Sequence, residues 1–166
     1  MSNYKELVNN SLNMLNINHR DKLLPAIENN MSKLNDLQNQ LKDLEKIGLR
    51  DKVANLEWRV VKNKNIVIFK MNLSNDLVRE LFDIIKQYKS DVFAFGICVD
   101  NDKAVMMAVS SQAWIDAGIS ANAMIKEMCS VVDGRGGGKN DQAQAGFKRL
   151  DLIDQCLSLV ETKILE

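Results

Sequence analysis

The stretch DVFAFGICVDNDKAVMMAVS, residues 91–110, decides the fold, because it holds two apolar runs on either side of a short polar turn. The first run, Asp91–Val99, is apolar and partly β-branched, which is typical of a buried strand. Residues 100–103 have the composition of a turn, and Ala104–Ser110 is a second run of the same kind. We therefore predict a β-hairpin of two buried strands.

Segments on both sides of this hairpin predict further strands and helices for residues 58–166. The predicted strands are Arg59–Val61 and Ile66–Met71, and the predicted helices run from Leu77 to about Tyr88, from Ala121 to about Val132 and from about Leu150 to Ile164. Ser74 and Ser120 are the N-cap candidates of the first two helices. With a glycine loop between the last two helices, the order is β-β-α-β-β-α-loop-α. That order predicts an α/β domain of the α+β-like kind, a mixed sheet with packed helices.

Residues 1–57 predict an elongated helical segment, since they contain no β-rich run and no glycine before Gly48. Tyr4–Leu15 has one apolar face, and Pro25 suits the first turn of a second helix. An apolar stripe with 4-3-3-4-3 spacing follows on that helix: Ile27, Met31, Leu34, Leu37, Leu41 and Leu44. Two compatible interpretations stay open. The stripe packs on its neighbour in an antiparallel hairpin, or it forms a coiled-coil dimer seam.

The scarce residues and the charge balance exclude several classes of function. The 166 residues include 22 Lys+Arg and 22 Asp+Glu, so the net charge predicts no polyanion partner. Three cysteines, Cys98, Cys129 and Cys156, argue against a disulfide framework and fit a reducing cytoplasm. The single histidine, His19, lies in a polar turn and argues against a hydrolase triad. No apolar run approaches membrane-span length, and residues 1–6 predict no signal peptide.

A second informative stretch is VVDGRGGGKNDQAQAG, residues 131–146, where four of the eight glycines fall within residues 134–138. Glycines allow positive φ angles and close approach of the backbone to a ligand, and successive N–H groups can surround an anion. Arg135, Lys139, Lys148 and Arg149 stand against one acid, Asp141, and suit phosphate or sugar. By its residues alone, the stretch is either a binding loop or a mobile structural turn.

The glycine stretch does not match two familiar phosphate-binding motifs. In a Walker A loop, Gly138-Lys139 would be followed by Ser or Thr, and here it is followed by Asn140. A dinucleotide fingerprint closes a strand, whereas this stretch follows a predicted helix.

Residues 133–146, DGRGGGKNDQAQAG, resemble the signature GGRGGGRPDMAQAGG near the C-terminus of alanyl-tRNA synthetases. The signature lies in a DHH-associated domain, which also ends some DHH-family phosphoesterases. The glycine core is retained, and the departures include Asp133 for Gly, Asn140 for Pro, Gln142 for Met and Phe147 for Gly.

The resemblance to the synthetases extends over roughly residues 10–164. Asn16–Leu49 resembles the helical segment that precedes their globular part. Ala104–Ser110 and Ala121–Val132 resemble the strand and the helix that lead into the signature. This coverage favours the synthetases over the phosphoesterases.

The resemblance implies a non-catalytic C-terminal domain that binds tRNA(Ala), at the elbow corner formed by the D and T loops, and that helps aminoacylation and editing. The helical part is expected to support a homodimer. The chain is expected to be a fragment without a cofactor or metal, whose parent ligase has upstream catalytic and editing domains and uses ATP, Mg²⁺ and Zn²⁺.

The residues expected to contact RNA lie in and just after the glycine stretch: Arg135, Gly136, Gly137, Gly138, Lys139, Gln142, Gln144, Lys148 and Arg149. For the three central glycines, a purely conformational role is the alternative. Trp58, Trp114 and Phe147 are candidates for base stacking, although core packing is favoured for the two tryptophans.

Two other functions stay open from the sequence. The first is the nucleic-acid-binding substrate lobe of a DHH-family phosphoesterase. The second is an oligomerisation module, carried by residues 1–57 with the α/β part as a cap.

Overall fold

A computed structural model describes residues 2–166, so residue 1 of the predicted helical segment 1–57 lies outside the described residues. The α-helices are α1 (Ser2–Met14), α2 (Leu23–Ala54), α3 (Asn75–Tyr88), α4 (Gln112–Asp116), α5 (Ala121–Val132) and α6 (Ile153–Leu165). The strands are β1 (Trp58–Val61), β2 (Lys64–Asn72), β3 (Val92–Asp100), β4 (Lys103–Ser110), β5 (Arg135–Gly138) and β6 (Gln142–Phe147). Short 3-10 turns at Arg20–Lys22 and Leu150–Leu152 precede α2 and α6. The chain divides into two compact units, residues 1–45 and 46–166.

The first unit contains α1 and most of α2, and its apolar stripe is exposed. Leu34, Leu37, Leu41 and Leu44 each expose between 56 and 65% of their surface. The antiparallel-hairpin interpretation of this stripe is therefore wrong. Met31, nearer the start of α2, also exposes 60% of its surface, so α1 covers none of the stripe from Met31 to Leu44.

The second unit is built on one mixed sheet with the strand order β1-β2-β3-β4-β6-β5. The predicted hairpin of residues 91–110 is confirmed as the antiparallel pair β3–β4. Strands β2 and β3 are parallel, since α3 returns the chain between them, and every other pair is antiparallel. At the β1–β2 turn Lys62 and Asn63 both have positive φ, which matches the twist of a tight hairpin.

Helices cover both faces of this sheet, which accounts for the fully apolar β3. On one face, Phe93, Phe95 and Ile97 pack in a core with residues of α5 and α6. On the other face, Ala94 and Cys98 pack with residues of α3. Leu49 and Val53, near the end of α2, are buried in this second core, so the end of the predicted helical segment 1–57 contributes to the globular part.

The glycine stretch is a strand and not the predicted loop. Residues 135–138 form β5, the edge of the sheet, and pair with β6, which the sequence pattern also left unassigned. Glycine has a low strand propensity, and the β5–β6 register is set by the neighbouring strand β4, which is far away in the sequence. The short helix α4 was likewise not expected.

None of the helices that the structure describes combines the length and the apolar character needed to cross a membrane.

Candidate nucleic-acid interface

The glycine stretch does not use the left-handed backbone conformation that its composition predicted. Between residues 131 and 146, Asp133 has a positive φ of 53°, whereas Gly134 and Gly136–Gly138 do not. Asp133 is the C-cap of α5, and its backbone N–H donates to the carbonyl oxygen of Cys129. The presence of glycines in this stretch must therefore have a physical reason other than a positive φ.

That reason is the close approach of β5 to β6. A Cβ added at Gly136 would lie 2.2 Å from the carbonyl oxygen of Gln144 and 2.4 Å from the Cα of Ala145. At Gly138 the corresponding distances are 2.4 Å to the oxygen of Gln142 and 2.6 Å to the Cα of Ala143. These two glycines thus have a packing role that is independent of any ligand.

Gly137 is different, because its missing side chain leaves open space. The nearest atom to an added Cβ is Oδ1 of Asn122, at 3.9 Å. Gly137 is therefore the central glycine beside which a ligand has room to approach.

The tip of the β5–β6 hairpin is held by backbone hydrogen bonds, which argues against a mobile turn. The N–H of Lys139 donates to the carbonyl oxygen of Gln142 at 2.8 Å and closes the turn. The carbonyl of Asn140 accepts from Ala121 at 2.8 Å, and that of Asp141 accepts from Ser110 at 2.9 Å. The tip is thereby tied to the start of α5 and to the end of β4.

Strand β6 turns its two glutamines away from the α5 side of the sheet. Ala143, Ala145 and Phe147 are buried in the core that includes α5 and α6, whereas Gln144 is exposed and Gln142 is half-buried. In register, Gln144 stands opposite Met107 of β4. Nζ of Lys86, on α3, donates a hydrogen bond to Oε1 of Gln142.

A cleft of about 370 Å³ lies between α3 and this hairpin. Five of the residues expected to contact RNA line it: Gly137, Gly138, Lys139, Gln142 and Gln144. Arg79 of α3 and the acid Asp141 are also in its lining. We name this cleft the hairpin cleft.

The two cations that bracket the glycines are available to a ligand. Arg135 and Lys139 are exposed, and neither has an ion pair within 4.0 Å among residues 2–166. Arg135 does not line the hairpin cleft but stands on the adjoining edge strand.

Arg149 differs from these two cations, because it forms an ion pair with a carboxylate of the same chain. Its Nε and Nη2 donate to the two carboxylate oxygens of Asp151, both at 3.0 Å. This hydrogen-bonded pair raises the pKa of Arg149 and lowers the pKa of Asp151. Lys148 is exposed and lies outside the lining of the hairpin cleft.

The aromatic residues belong to the packing of the domain. Trp114 is fully buried, and its Nε1 donates to the carbonyl oxygens of Asn65 at 3.0 Å and Asp91 at 3.2 Å. Nε1 of Trp58 donates to the carbonyl of Val53 at 2.9 Å. The stacking role considered for Phe147 is wrong, because its ring is buried under the sheet.

Sequence reasoning missed Arg79 and Lys86 as site residues. Both lie on the polar side of an amphipathic helix, where charged residues are ordinarily only solvated. Lys86 and Gln142 are 56 positions apart, so no local pattern reveals their contact.

No group of three or more His, Cys, Asp or Glu side chains suited to a metal ion occurs in the described part of the chain. The zinc implied for the parent enzyme therefore has no candidate ligand set among these residues.

Comparisons with known proteins match this chain to one family model and to a set of alanine–tRNA ligases. A family model described as the DHHA1 domain matches residues 63–166. The alanine–tRNA ligase of Natranaerobius thermophilus is 28% identical over 146 residues, which cover 84% of this chain and 16% of that protein. Against the alanine–tRNA ligases compared, the chain spans between 10 and 18% of their length.

Solved structures show the same fold at lower identity. The C-Ala domain of Aquifex aeolicus alanyl-tRNA synthetase matches with a TM-score of 0.58 and 22% identity, over 67% of this chain and all of that one. A DHH-domain member of the s1p family of ribosomal proteins matches with a TM-score of 0.50 and 15% identity, over 80% of this chain and 33% of that one.

Proposed function

The chain belongs to the DHHA1 domain family, and from this premise we propose that it is the C-terminal tRNA-binding domain of an alanine–tRNA ligase. Its ligand is tRNA(Ala), which it binds at the elbow corner. It catalyses no step itself. It serves aminoacylation and editing by holding one tRNA near the catalytic and editing domains of the same cytoplasmic enzyme, and that enzyme uses ATP, Mg²⁺ and Zn²⁺.

The observation that carries this proposal is the hairpin cleft, which gathers the glycine hairpin, two cations and two amides on one surface. Arg79 and Lys139 supply positive charge without an ion pair in the described chain. Guanidinium and ammonium groups bind phosphate, and amide groups bind ribose hydroxyls and base edges. The open space beside Gly137 lets a backbone come close.

The proposed mode is recognition of shape and of the sugar-phosphate backbone. Contacts to phosphates fix position but carry no sequence information. An elbow binder of this kind loses affinity for every tRNA alike when a phosphate contact is removed, whereas a sequence reader loses discrimination.

The test is the affinity of the double variant Arg135→Ala, Lys139→Ala for a tRNA(Ala) transcript by filter binding. We expect weaker binding and a log–log salt slope reduced by about 0.7–0.9 for each lost phosphate contact. Lys126→Ala is the matched control, because Lys126 is an exposed cation of α5 outside the cleft lining. Unchanged affinity with an unchanged far-UV circular dichroism spectrum removes the hairpin from the mechanism.

The exposed stripe on α2 supports a homodimer as part of the same proposal. Leucines that expose more than half of their surface in one chain are stabilised when a second copy covers them. Sedimentation of the full chain should give a dimer, and Leu37→Glu with Leu41→Glu should give a monomer. A monomeric parent chain at tens of micromolar refutes this part.

The nucleic-acid lobe of a DHH-family phosphoesterase is the second candidate. The DHH-domain structure that matches at a TM-score of 0.50 supports it through the fold alone. The sequence has one histidine, so it contains no Asp-His-His motif of its own. Titration with tRNA and with single-stranded DNA separates the candidates, since preference for the single strand favours the lobe.

A further inference from the structure

A second cleft, of about 350 Å³, adjoins the hairpin cleft along α3. Its lining includes Lys86 of α3, Lys89 at the C-cap of α3, and three residues from the end of β4 to the start of α4, Ser110, Ser111 and Gln112. Asp141 lines both clefts, and the Lys86–Gln142 hydrogen bond joins a residue of one lining to a residue of the other. The two clefts are therefore neighbouring parts of one groove between α3 and the strands from β3 to β5 in the sheet order.

One wall of this groove carries a row of three cations, two on α3 and one at its C-cap. Arg79 and Lys86 are seven residues apart, which places them on one side of the helix about 10 Å apart, and Lys89 is the extended residue at the C-cap of α3. A strand of a nucleic-acid duplex places a phosphate about every 3.4 Å of helix axis, so the distance from Arg79 to Lys86 corresponds to about three phosphate steps.

The groove as a whole has more cations than acids, although in the second cleft Lys86 and Lys89 are balanced by Asp91 and Asp141. Its lining contains four cations, the three of this row and Lys139 on the opposite wall, against two acids, Asp91 and Asp141. The ammonium of Lys89 lies 5.9 Å from the ring centroid of Trp58, which holds its stem against an aromatic face. Among the described residues, Arg79, Lys86 and Lys89 form no ion pair within 4.0 Å.

Neutral groups in the groove are also arranged for a ligand with oxygen acceptors. Because Lys86 donates to Oε1 of Gln142, the Nε2 amide hydrogens of this glutamine remain as donors at the junction of the clefts. In the wall of the second cleft, Oγ of Ser111 is buried and has no hydrogen-bond partner among the residues described. Unpaired buried polar groups are costly, and a bound phosphate or ribose hydroxyl would satisfy them.

We propose that Arg79, Lys86 and Lys89 form a phosphate-binding row, and that one RNA strand of the tRNA runs along the groove between this row and the β5–β6 hairpin. Lys86 has two parts in this arrangement: it is a cation for a phosphate, and it positions the amide of Gln142. The inference rests on the proposed function, since tRNA is the ligand. It adds a second wall to the interface, from a helix outside the glycine signature.

The test measures binding of a tRNA(Ala) transcript by the full chain between 50 and 200 mM salt, conditions in which phosphate contacts dominate. The variant is Lys86→Met with Lys89→Met, which keeps the aliphatic stems. From slopes of about 0.7–0.9 per contact, we expect a loss of about 5- to 8-fold per removed contact at 0.1 M salt and a lower salt slope. Lys126→Met on α5 is the matched control and should bind as the parent does.

The variant Asp141→Asn controls for misfolding, because it is expected to increase the affinity for tRNA, whereas the lysine variants are expected to lower it. Removal of this carboxylate from both clefts should tighten binding, and no damaged fold does so. Lys86→Arg should retain most of the affinity, since it keeps the charge and a donor for Gln142.

The failures of the two proposals are distinguishable. If Arg135→Ala with Lys139→Ala weakens binding while Lys86→Met with Lys89→Met behaves as Lys126→Met, the row is refuted and the tRNA-binding function stands. If neither pair changes affinity or salt slope, both proposals fail. A tRNA-binding loss in the row variant without a change of salt slope also overturns the inference, since it would show a structural effect and no phosphate contact.

Discussion

Replacement of Gly136 in β5 by alanine should lower the free energy of unfolding of the domain far more than replacement of its neighbour Gly137. At Gly136 the added Cβ would lie 2.2 Å from a carbonyl oxygen and 2.6 Å from the Cβ of Ala145. At Gly137 the nearest atom is a side-chain oxygen 3.9 Å away. The two variants have the same composition and adjacent positions in one strand, so each is the control for the other.

The size of the effect follows from the shift that Gly136→Ala requires. Ordinary contact is 3.4 Å or more, so β5 must retreat from β6 by about 1.2 Å. Such a shift stretches ladder hydrogen bonds beyond useful length, and overpacking against backbone costs about 1–3 kcal/mol. We therefore expect a loss of about 2–3 kcal/mol for Gly136→Ala and less than about 0.5 kcal/mol for Gly137→Ala.

Urea unfolding followed by circular dichroism measures both losses. For a chain of this length, 1 kcal/mol corresponds to about 2–4 °C in Tm, so Gly136→Ala should melt about 4–12 °C lower. Amide hydrogen exchange in β6 should accelerate in that variant alone. Equal stabilities of the two variants would refute the reasoning. If Gly137→Ala is stable but binds tRNA weakly, the open space beside Gly137 serves the ligand.

Four further substitutions test other parts of the structure. Trp114→Phe removes the indole donor to the carbonyl oxygens of Asn65 and Asp91 and leaves part of a fully buried site unfilled, so it should cost about 1–3 kcal/mol in urea unfolding; a change below about 0.5 kcal/mol would contradict this. Asp133→Gly should stabilise the domain by about 0.5–1 kcal/mol, because glycine adopts a φ of 53° without strain. Gly118→Ala, at a φ of 91°, should destabilise it, and melting curves that reverse this order would contradict the backbone argument. The pKa of Asp151 is lowered by its hydrogen bond and charge contact with Arg149, so the pair stabilises the fold above the ordinary carboxyl pKa of 3.8 and loses this effect as pH falls through the lower folded value. Arg149→Ala should return the pKa of Asp151 toward 3.8 in an NMR titration, and an unshifted titration curve would show that the ion pair is absent in solution.

Much of the fold was predictable because its patterns are local. The β3–β4 hairpin has two apolar runs and a polar turn, and the helix after Ser120 begins with a hydroxyl that accepts from the N–H of Ala123. The β5–β6 pair was not predictable, since the local sequence of residues 135–138 gives almost no strand signal. What makes it a strand is a partner with small side chains, Ala143 and Ala145, at the edge of a sheet that already exists.

The residues of the candidate site likewise fall into a predictable group and an unpredictable one. Residues 135–144 carried a local signal of glycines, cations and amides, and the structure places five of the nine expected contact residues in one cleft. Arg79, Lys86 and Lys89 carried none, because a cation on a helix or at its end has the same local pattern as any solvated charge. Only the register of the sheet brings Gln142 to Lys86.

The departures of this chain from the signature follow from the separate roles of its glycines. Asp133 replaces a glycine at a left-handed position, which Asp tolerates better than most residues, so the change has a small cost. Gly136 and Gly138 have no such tolerance, because any Cβ there meets backbone atoms of β6. Packing alone therefore explains why these two stay glycine, and it leaves Gly137 without a structural reason. Gly137 lies at the rim of an electropositive groove and is required neither by packing nor by backbone conformation. A loss of ligand binding on its replacement would therefore directly measure the need for close approach of a ligand.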